Sequence, residues 1–301
     1  DDLRPLREIA RNGASLLNKP LHLFPIPDAT LAWYQSRAGG MFFPGDAEFA
    51  GQNRPYGARL SILINPPDTA KSKAVLKEGE KAKKDTAAAT DSVTIEILSP
   101  SHEILRTLRV KVNKGINRTQ WNLDRKVERM PSQPKPDPGA PEPGGWEVPP
   151  GIYKVRVTYG TYRDSAMVNV KLDHRVPFTE ADIAARTAML EKLYSKIRIA
   201  TDAADKLRDA KKRIEQIAGL VKDRTDSSAQ KVKDLGKAMQ DSIKKLNELF
   251  VDKEVQGWRW DPNVLQSRLS TALSYANSAW YAPTETQLVV YNQTIDQLKD
   301  V

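Results

Sequence analysis

The sequence predicts a multi-domain α+β protein in which antiparallel strands come first and helices follow. Before about residue 175, apolar and polar residues alternate, as in segment 151–158, where Tyr153, Val155 and Val157 share one face. A period of two is typical of half-buried strands. From Thr179 onward, apolar residues recur three and four positions apart, which is the spacing of one helix face. The change of period therefore predicts a strand-rich part followed by a helical part.

The strand-rich part, residues 59–175, is predicted to be an immunoglobulin-like (Ig-like) antiparallel β-sandwich. Residues 93–112 read as a hairpin of two alternating segments joined by a turn. Short alternating strands, turn residues between them and a Trp on an apolar strand face together indicate this fold. We expect that Trp, Trp121, to be buried in the core near Tyr153 and Val155.

Three stretches before residue 175 show neither period. Residues 1–58 combine a short extended piece with an aromatic loop punctuated by Gly. The insert 66–92, rich in Lys, Ala, Asp and Thr, is predicted to be exposed and disordered. Residues 130–150 contain many Pro and Gly and are predicted to form an ordered loop without regular structure.

Residues 179–301 are predicted to form an antiparallel α-helical bundle of four amphipathic helices. Thr179 is the expected N-cap of a first helix of about 40 residues. The later helices are expected to begin at Asp226 or Ser227, at Asp261–Pro262 and at Pro283–Thr284. The expected inward face of the second helix consists of Val232, Leu235, Met239, Ile243, Leu246 and Phe250.

Composition excludes several classes of protein. Zero Cys excludes disulfides and thiolate metal sites, and no apolar run reaches the roughly 18 residues that a transmembrane segment needs. The net charge of +9 is compatible with anionic partners. However, the aromatic residues do not alternate with the basic ones, and no nucleic-acid-binding motif occurs. We therefore expect neither a transmembrane segment nor nucleic acid as a partner.

Few residues form a pattern with catalytic chemistry. Asp46 and Glu48 lie two positions apart in the aromatic loop, as a general acid/base pair or a Ca²⁺ site requires. Alternatively, they cap backbone N–H groups in a loop whose Gly and Pro residues set its shape, and this interpretation is favoured. The three histidines, His22, His102 and His174, are far apart and lack a partner at zinc-ligand spacing. No catalytic residue, metal or other cofactor is predicted.

Aromatic residues are the remaining candidates for a binding site. Trp258, Trp260 and Trp280 could stack on sugars, although aromatic residues at helix ends more often serve as packing. Together with the aromatic loop, the candidate binding residues are Phe42, Phe43, Asp46, Glu48, Phe49, Tyr56, Trp258, Trp260 and Trp280.

Five segments resemble one known family. They are the opening residues 1–6, the FPGD and NRPYGA passages within 43–58, the Trp-containing strand 115–123, the PGIYKVRV segment 150–157, and the terminal helices with Ala282-Pro283-Thr284 before the last one. They are similar to the C-terminal region, after the propeller, of bacterial sortilin-like or Asp-box β-propeller proteins, which are often labelled glycosyl-hydrolase-like. The resemblance implies that residues 1–6 form the last strand of a propeller. It further implies an Ig-like domain followed by terminal helices.

The resemblance also implies a role. The chain would be a non-catalytic accessory or interaction module that braces a β-propeller of the same or a companion chain and presents a binding or assembly surface. Such a protein would be secreted, periplasmic or at the cell surface, with a cell-envelope or glycan ligand. No Asp-box repeat occurs in this sequence. The alternative is part of a glycoside hydrolase or peptidase whose site lies at the propeller interface.

Overall fold

The protein is α+β, as the change of apolar period predicted. The computed structural model describes residues 2–32, 55–66, 92–137, 139–251 and 261–300. The chain divides into two compact units: unit 1 contains residues 1–126 and 141–177, and unit 2 contains residues 127–140 and 178–301. The polypeptide therefore passes three times between the units. Most of the aromatic loop and nearly all of the 66–92 insert lie outside the described residues.

Unit 1 consists mainly of strands that form three sheets. A three-stranded sheet has the order β1-β3-β6, a five-stranded sheet has the order β2-β10-β9-β4-β5, and β7 pairs with β8. All pairs are antiparallel except β2 with β10. The elements are α1 Arg4–Asn12, α2 Ala14–Leu17, β1 Leu21–Leu23, β2 Ala29–Leu31, β3 Ala58–Ile64, β4 Ser92–Leu98, β5 Ile104–Lys111, β6 Gly115–Trp121, β7 Asp124–Lys126, β8 Gly144–Glu147, β9 Gly151–Tyr159 and β10 Tyr162–Leu172.

The predicted hairpin and the predicted position of Trp121 are both confirmed. In β4 and β5, Val93 lies opposite Val110 and Ile95 opposite Leu108. Trp121 is 0% exposed, and its ring lies edge-on to that of Tyr153 with 5.6 Å between centroids. Its indole N–H donates to the carbonyl of Asp124 over 2.8 Å, so its one polar group is satisfied. This contact joins the three-stranded sheet to the five-stranded one.

Two expectations for unit 1 are wrong. Residues 4–17 form α1 and α2, whereas the resemblance implied a propeller strand at residues 1–6. Asp2 accepts the backbone N–H of Arg4 over 3.1 Å and Pro5 occupies the first turn, both of which favour helix initiation. Residues 130–150 also include a strand, β8, at Gly144–Glu147.

The helices of unit 2 are α3 Glu180–Leu220, α4 Ser227–Phe250, α5 Leu265–Asn277 and α6 Glu285–Asp300. Thr179 caps α3 as predicted: its hydroxyl accepts the N–H of Asp182 over 3.1 Å, and the Asp182 carboxylate accepts the N–H of Thr179 over 2.9 Å. Helix α5 begins at Leu265, later than the predicted start at Asp261–Pro262. Asp261 instead accepts the N–H of Asn263 over 2.9 Å, which forms a turn before the helix.

We predict that replacing Trp121 with Ala lowers the free energy of unfolding of unit 1 by about 3–5 kcal/mol, because it leaves a large cavity at the contact between the sheets. Urea denaturation followed by circular dichroism measures the change. Ile152→Ala, at a position on β9 that is 55% exposed, is the control and should change stability by less than about 0.5 kcal/mol. Equal stabilities for the two variants would contradict the packing assigned to Trp121.

Candidate functional site

The structure describes two of the nine candidate binding residues. Tyr56 is half-buried, and Trp280 is buried with its ring 5.9 Å from that of Phe178. Trp280 therefore packs within unit 2 and presents no open face for a sugar. The other seven lie outside the described residues: Phe42, Phe43, Asp46, Glu48, Phe49, Trp258 and Trp260.

The structure brings together a histidine and two carboxylates that lie far apart in the sequence of unit 1. His22 Nε2 is 3.0 Å from a Glu8 oxygen, and Nδ1 is 3.2 Å from Asp164 Oδ2. A neutral imidazole has a single N–H and can donate to only one of these carboxylates, whereas an imidazolium can donate to both. Asp164 also accepts the N–H of Leu23 over 2.8 Å. The cluster thus ties α1 and β1 to β10.

The cluster is not arranged as a metal site, because the imidazole lies between the two carboxylates. Across the described parts of the chain, no group of three or more His, Cys, Asp or Glu residues could hold a metal ion. None of the described helices is both long and apolar enough to cross a membrane.

We give the name strap to the described residues of the segment 127–140, which are 127–137, 139 and 140; residues of the strap pack on α3 within unit 2. Asp205 of α3 accepts a hydrogen bond from Arg129 of the strap over 2.7 Å and another from Arg208. Thr201 of α3 donates its hydroxyl to the carbonyl of Arg129 over 2.6 Å. Burial raises the pKa of Asp205, but the hydrogen bonds from the two arginines outweigh it and hold that pKa below its usual value. Asp205 is therefore an ionised anchor for the strap.

Helix α4 packs against α3 through residues that are mostly small or polar. The least exposed positions of α4 recur four and three apart, which is the spacing of a helix–helix seam. They are Ala229, Lys233, Gly236, Gln240, Ile243, Asn247 and Phe250; Glu248 is also partly buried, beside Asn247. A Cβ on Gly236 would lie 3.6 Å from Ile214 Cγ2 of α3, so Gly236 faces α3 directly.

The most apolar face of α4 is turned to solvent, which corrects the predicted inward face. Ile243 and Phe250 face inward as predicted, but Val232, Leu235, Met239 and Leu246 do not. Their side chains are between 36% and 61% exposed, and Leu249, one turn further on, is 46% exposed. We name this row the α4 stripe; its members are Val232, Leu235, Met239, Leu246 and Leu249.

A cleft of about 440 Å³ opens between α3, α4 and the strap. Ser132 contributes from the strap and Leu207 from α3, while Gln240, Ile243 and Asn247 contribute from the seam of α4. The polar side chains of the seam thus fill the space beside α3 incompletely. The apolar residues that would fill it better lie on the outer side of α4.

The second half of α3 and all of α4 are basic. Residues 206–250 contain twelve Lys and Arg against seven Asp and Glu, a net charge of +5. Exposed Lys231 and Lys245, one position before Val232 and Leu246, lie in the row next to the α4 stripe, whereas the acidic Asp234 and Glu248 lie one row further away. The candidate site is therefore an apolar row with two lysines in the row beside it, on a helix that the rest of unit 2 holds by its other side.

No family model, curated protein or solved structure matches this chain.

We predict that Asp205→Asn lowers the free energy of unfolding of unit 2 by about 1–3 kcal/mol, because Arg129 and Arg208 lose their common negative charge and one of the two oxygens that accept from them. The value should lie toward the low end, since both arginines are partly exposed. Because folding lowers the pKa of Asp205, this contribution is complete above the usual value of 3.8 and disappears as the pH falls through the lower folded value. Urea denaturation of wild type and variant at several pH values measures the difference.

Asp209→Asn is the matched control for Asp205→Asn. Asp209 lies 3.0 Å from Lys135 of the strap, but both side chains are more than half exposed. Exposed pairs contribute little, so the change should be below about 0.5 kcal/mol. A difference between wild type and Asp205→Asn that persists unchanged well below pH 3.8 would refute the ionised anchor.

Proposed function

We propose that this chain is a non-catalytic interaction module that works by binding another protein domain. The observation that carries the proposal is the α4 stripe. Isolated exposed apolar residues are normal, but a row of five along one helix face, interrupted at Ser242 and rimmed by polar groups, is typical of a surface for a partner. The stripe extends from residue 232 to residue 249, roughly 25 Å along the helix. The described part of unit 2 leaves these side chains 36–61% exposed, and a partner would cover that apolar surface.

We further propose that unit 1 is an Ig-like sandwich. The order of its two larger sheets supports this, as does the Trp121–Tyr153 contact that joins them. A further feature is the hydroxyl of Tyr153, near the start of β9, which donates to the carbonyl of Pro149 over 2.7 Å. A tyrosine that bonds back to the chain just before its strand is a recurrent feature of Ig-like folds. Domains of this class commonly serve as rigid spacers and binding modules.

Unit 2 is proposed to be an antiparallel helical bundle. In support, α3 packs against α4, α5 and α6. The buried guanidinium of Arg186 on α3 donates to the carbonyl of Ala276 over 3.2 Å and to the Asn277 side chain over 2.9 Å. Both acceptors lie at the end of α5, so these bonds fix that end against α3.

The proposed partner is a β-propeller of the same or a companion chain, with the aromatic loop as the contact. This part of the proposal rests on the resemblance of segments 43–58, 115–123 and 150–157 to propeller-associated proteins. It places the protein outside the cytoplasm, as a secreted, periplasmic or surface protein. A cell-envelope or glycan ligand is compatible with the same role.

The test compares binding with catalysis. The purified chain should bind a purified Asp-box β-propeller domain in a calorimetric titration and leave a panel of glycans and peptides intact. Replacing Phe49 and Tyr56 together with Ala should weaken binding at least about tenfold, because aromatic residues supply most of the energy of many interfaces. Tyr162→Ala, at a Tyr that is 38% exposed, is the control and should leave the affinity unchanged.

Two outcomes would overturn the proposal. Absence of propeller binding would remove the proposed partner. Turnover of a glycan or peptide that is lost in Asp46→Asn or Glu48→Gln, with folding intact, would favour the glycoside hydrolase or peptidase instead.

A further inference from the structure

We propose that the α4 stripe binds an amphipathic helix with acidic flanks, contributed by another protein. This inference rests on the proposed function, because both require the chain to be an interaction module, and it names the class of partner for this surface.

The spacing of the stripe fits a helix. Successive members from Val232 to Leu249 lie three, four, seven and three positions apart, with Ser242 at the vacant position of the repeat. This is the a/d pattern of a coiled-coil seam, which covers a narrow row of the helix surface. A helix that lies in a membrane surface instead requires a wide apolar face, often with Trp or Phe. The stripe is narrow and contains neither Trp nor Phe, so a partner helix is favoured over a lipid surface.

The charges beside the stripe indicate an acidic partner. Lys231 and Lys245 occupy the flanking position that pairs with a charge on the opposite helix in a coiled coil. Within the described structure, neither lysine forms an ion pair. Two copies of this chain would bring together two hairpins with a net charge of +5 over residues 206–250. Like charges at an interface oppose association, whereas acidic flanks would favour it.

The fold holds the stripe outward. Asp226 caps the start of α4 by accepting the N–H of Ala229 over 3.0 Å, and Phe250 is buried at its end. Between these points, Gly236 lies against Ile214. Turning the stripe inward would bring a larger side chain to the place of Gly236 and expose Phe250. The exposure of the stripe is thus a consequence of how α4 packs on α3, and it leaves the stripe available to a partner.

The test uses a designed peptide of about four heptads, which spans roughly the length of α4. The peptide has Leu at positions a and d and Glu at e and g, so that its copies repel one another and pair only with a basic helix. The whole protein should bind it in fluorescence anisotropy. Leu235→Gln combined with Leu246→Gln should weaken binding at least tenfold. The variant should keep its helical circular dichroism signal and its Tm, because both residues are exposed.

Two controls isolate the surface and the charge. Met239→Gln should weaken binding, whereas Met167→Gln, at a similarly exposed methionine of β10, should not. The same peptide with Lys in place of Glu at e and g should bind at least tenfold more weakly.

Several outcomes would overturn the inference: no binding of the acidic peptide, equal binding of the acidic and basic peptides, or equal binding by wild type and the double Gln variant. Two other outcomes would also refute an acidic helix as the partner. If the protein binds phosphatidylserine vesicles but no peptide, and the double Gln variant loses vesicle binding, the stripe binds a lipid surface. If the wild type is a dimer in analytical ultracentrifugation and the double Gln variant is a monomer, the stripe binds a second copy of this chain. Failure here with intact propeller binding would leave the β-propeller as the proposed partner but would remove the stripe as support for it, whereas loss of propeller binding alone would not affect the stripe.

Discussion

The packing of α4 on α3 is the constraint on which the candidate site depends. Gly236 lies opposite Ile214 of α3, and most of the other seam positions are polar or small. This arrangement contributes little hydrophobic free energy, because the side chains with the most apolar surface are not the ones removed from water. The helix is held by its ends and by its middle, through the Asp226 cap, buried Phe250 and Gly236. The apolar surface that α4 does not bury is the surface proposed to bind a partner.

In unit 1, in contrast to α4, the large apolar side chains that the sequence predicted to be inside are buried. Trp121 and Tyr153 face each other between the two larger sheets, and each polar group of the pair bonds to a nearby carbonyl. Their rings are thus fixed by directional bonds as well as by burial, which favours one arrangement of the sheets over others. His22 adds a polar tie between β1 and β10 at the side. A module built in this way is a rigid support, which suits the proposed role of presenting a surface.

The period of the apolar residues predicted the strands, the long helices and the burial of Trp121, because an element buried on one face has apolar residues at regular intervals. It failed for α4, where two rows of residues compete for the inward face. The row of Val232, Leu235 and Met239 is the more apolar, but Ala229 and Phe250 are the buried positions and Gly236 is the one opposite Ile214 of α3. Periodicity reports that a face is apolar and not what covers it. The Glu8, His22 and Asp164 cluster left no signal at all, because the fold alone brings these three side chains together.

The failure at α4 is informative in itself. A prediction from sequence fails most often at residues that are selected for function and not for the stability of their own fold. Leu235 is 61% exposed, although the seam on the other side of its helix consists mostly of small and polar residues. A sequence shaped only by the stability of this chain would place Leu toward α3 and Lys or Gln outward. In α4 most of the large apolar residues face outward, and most of the residues that face α3 are small or polar. This is the arrangement expected of a helix whose outer face binds a partner and whose inner face only holds the helix in position.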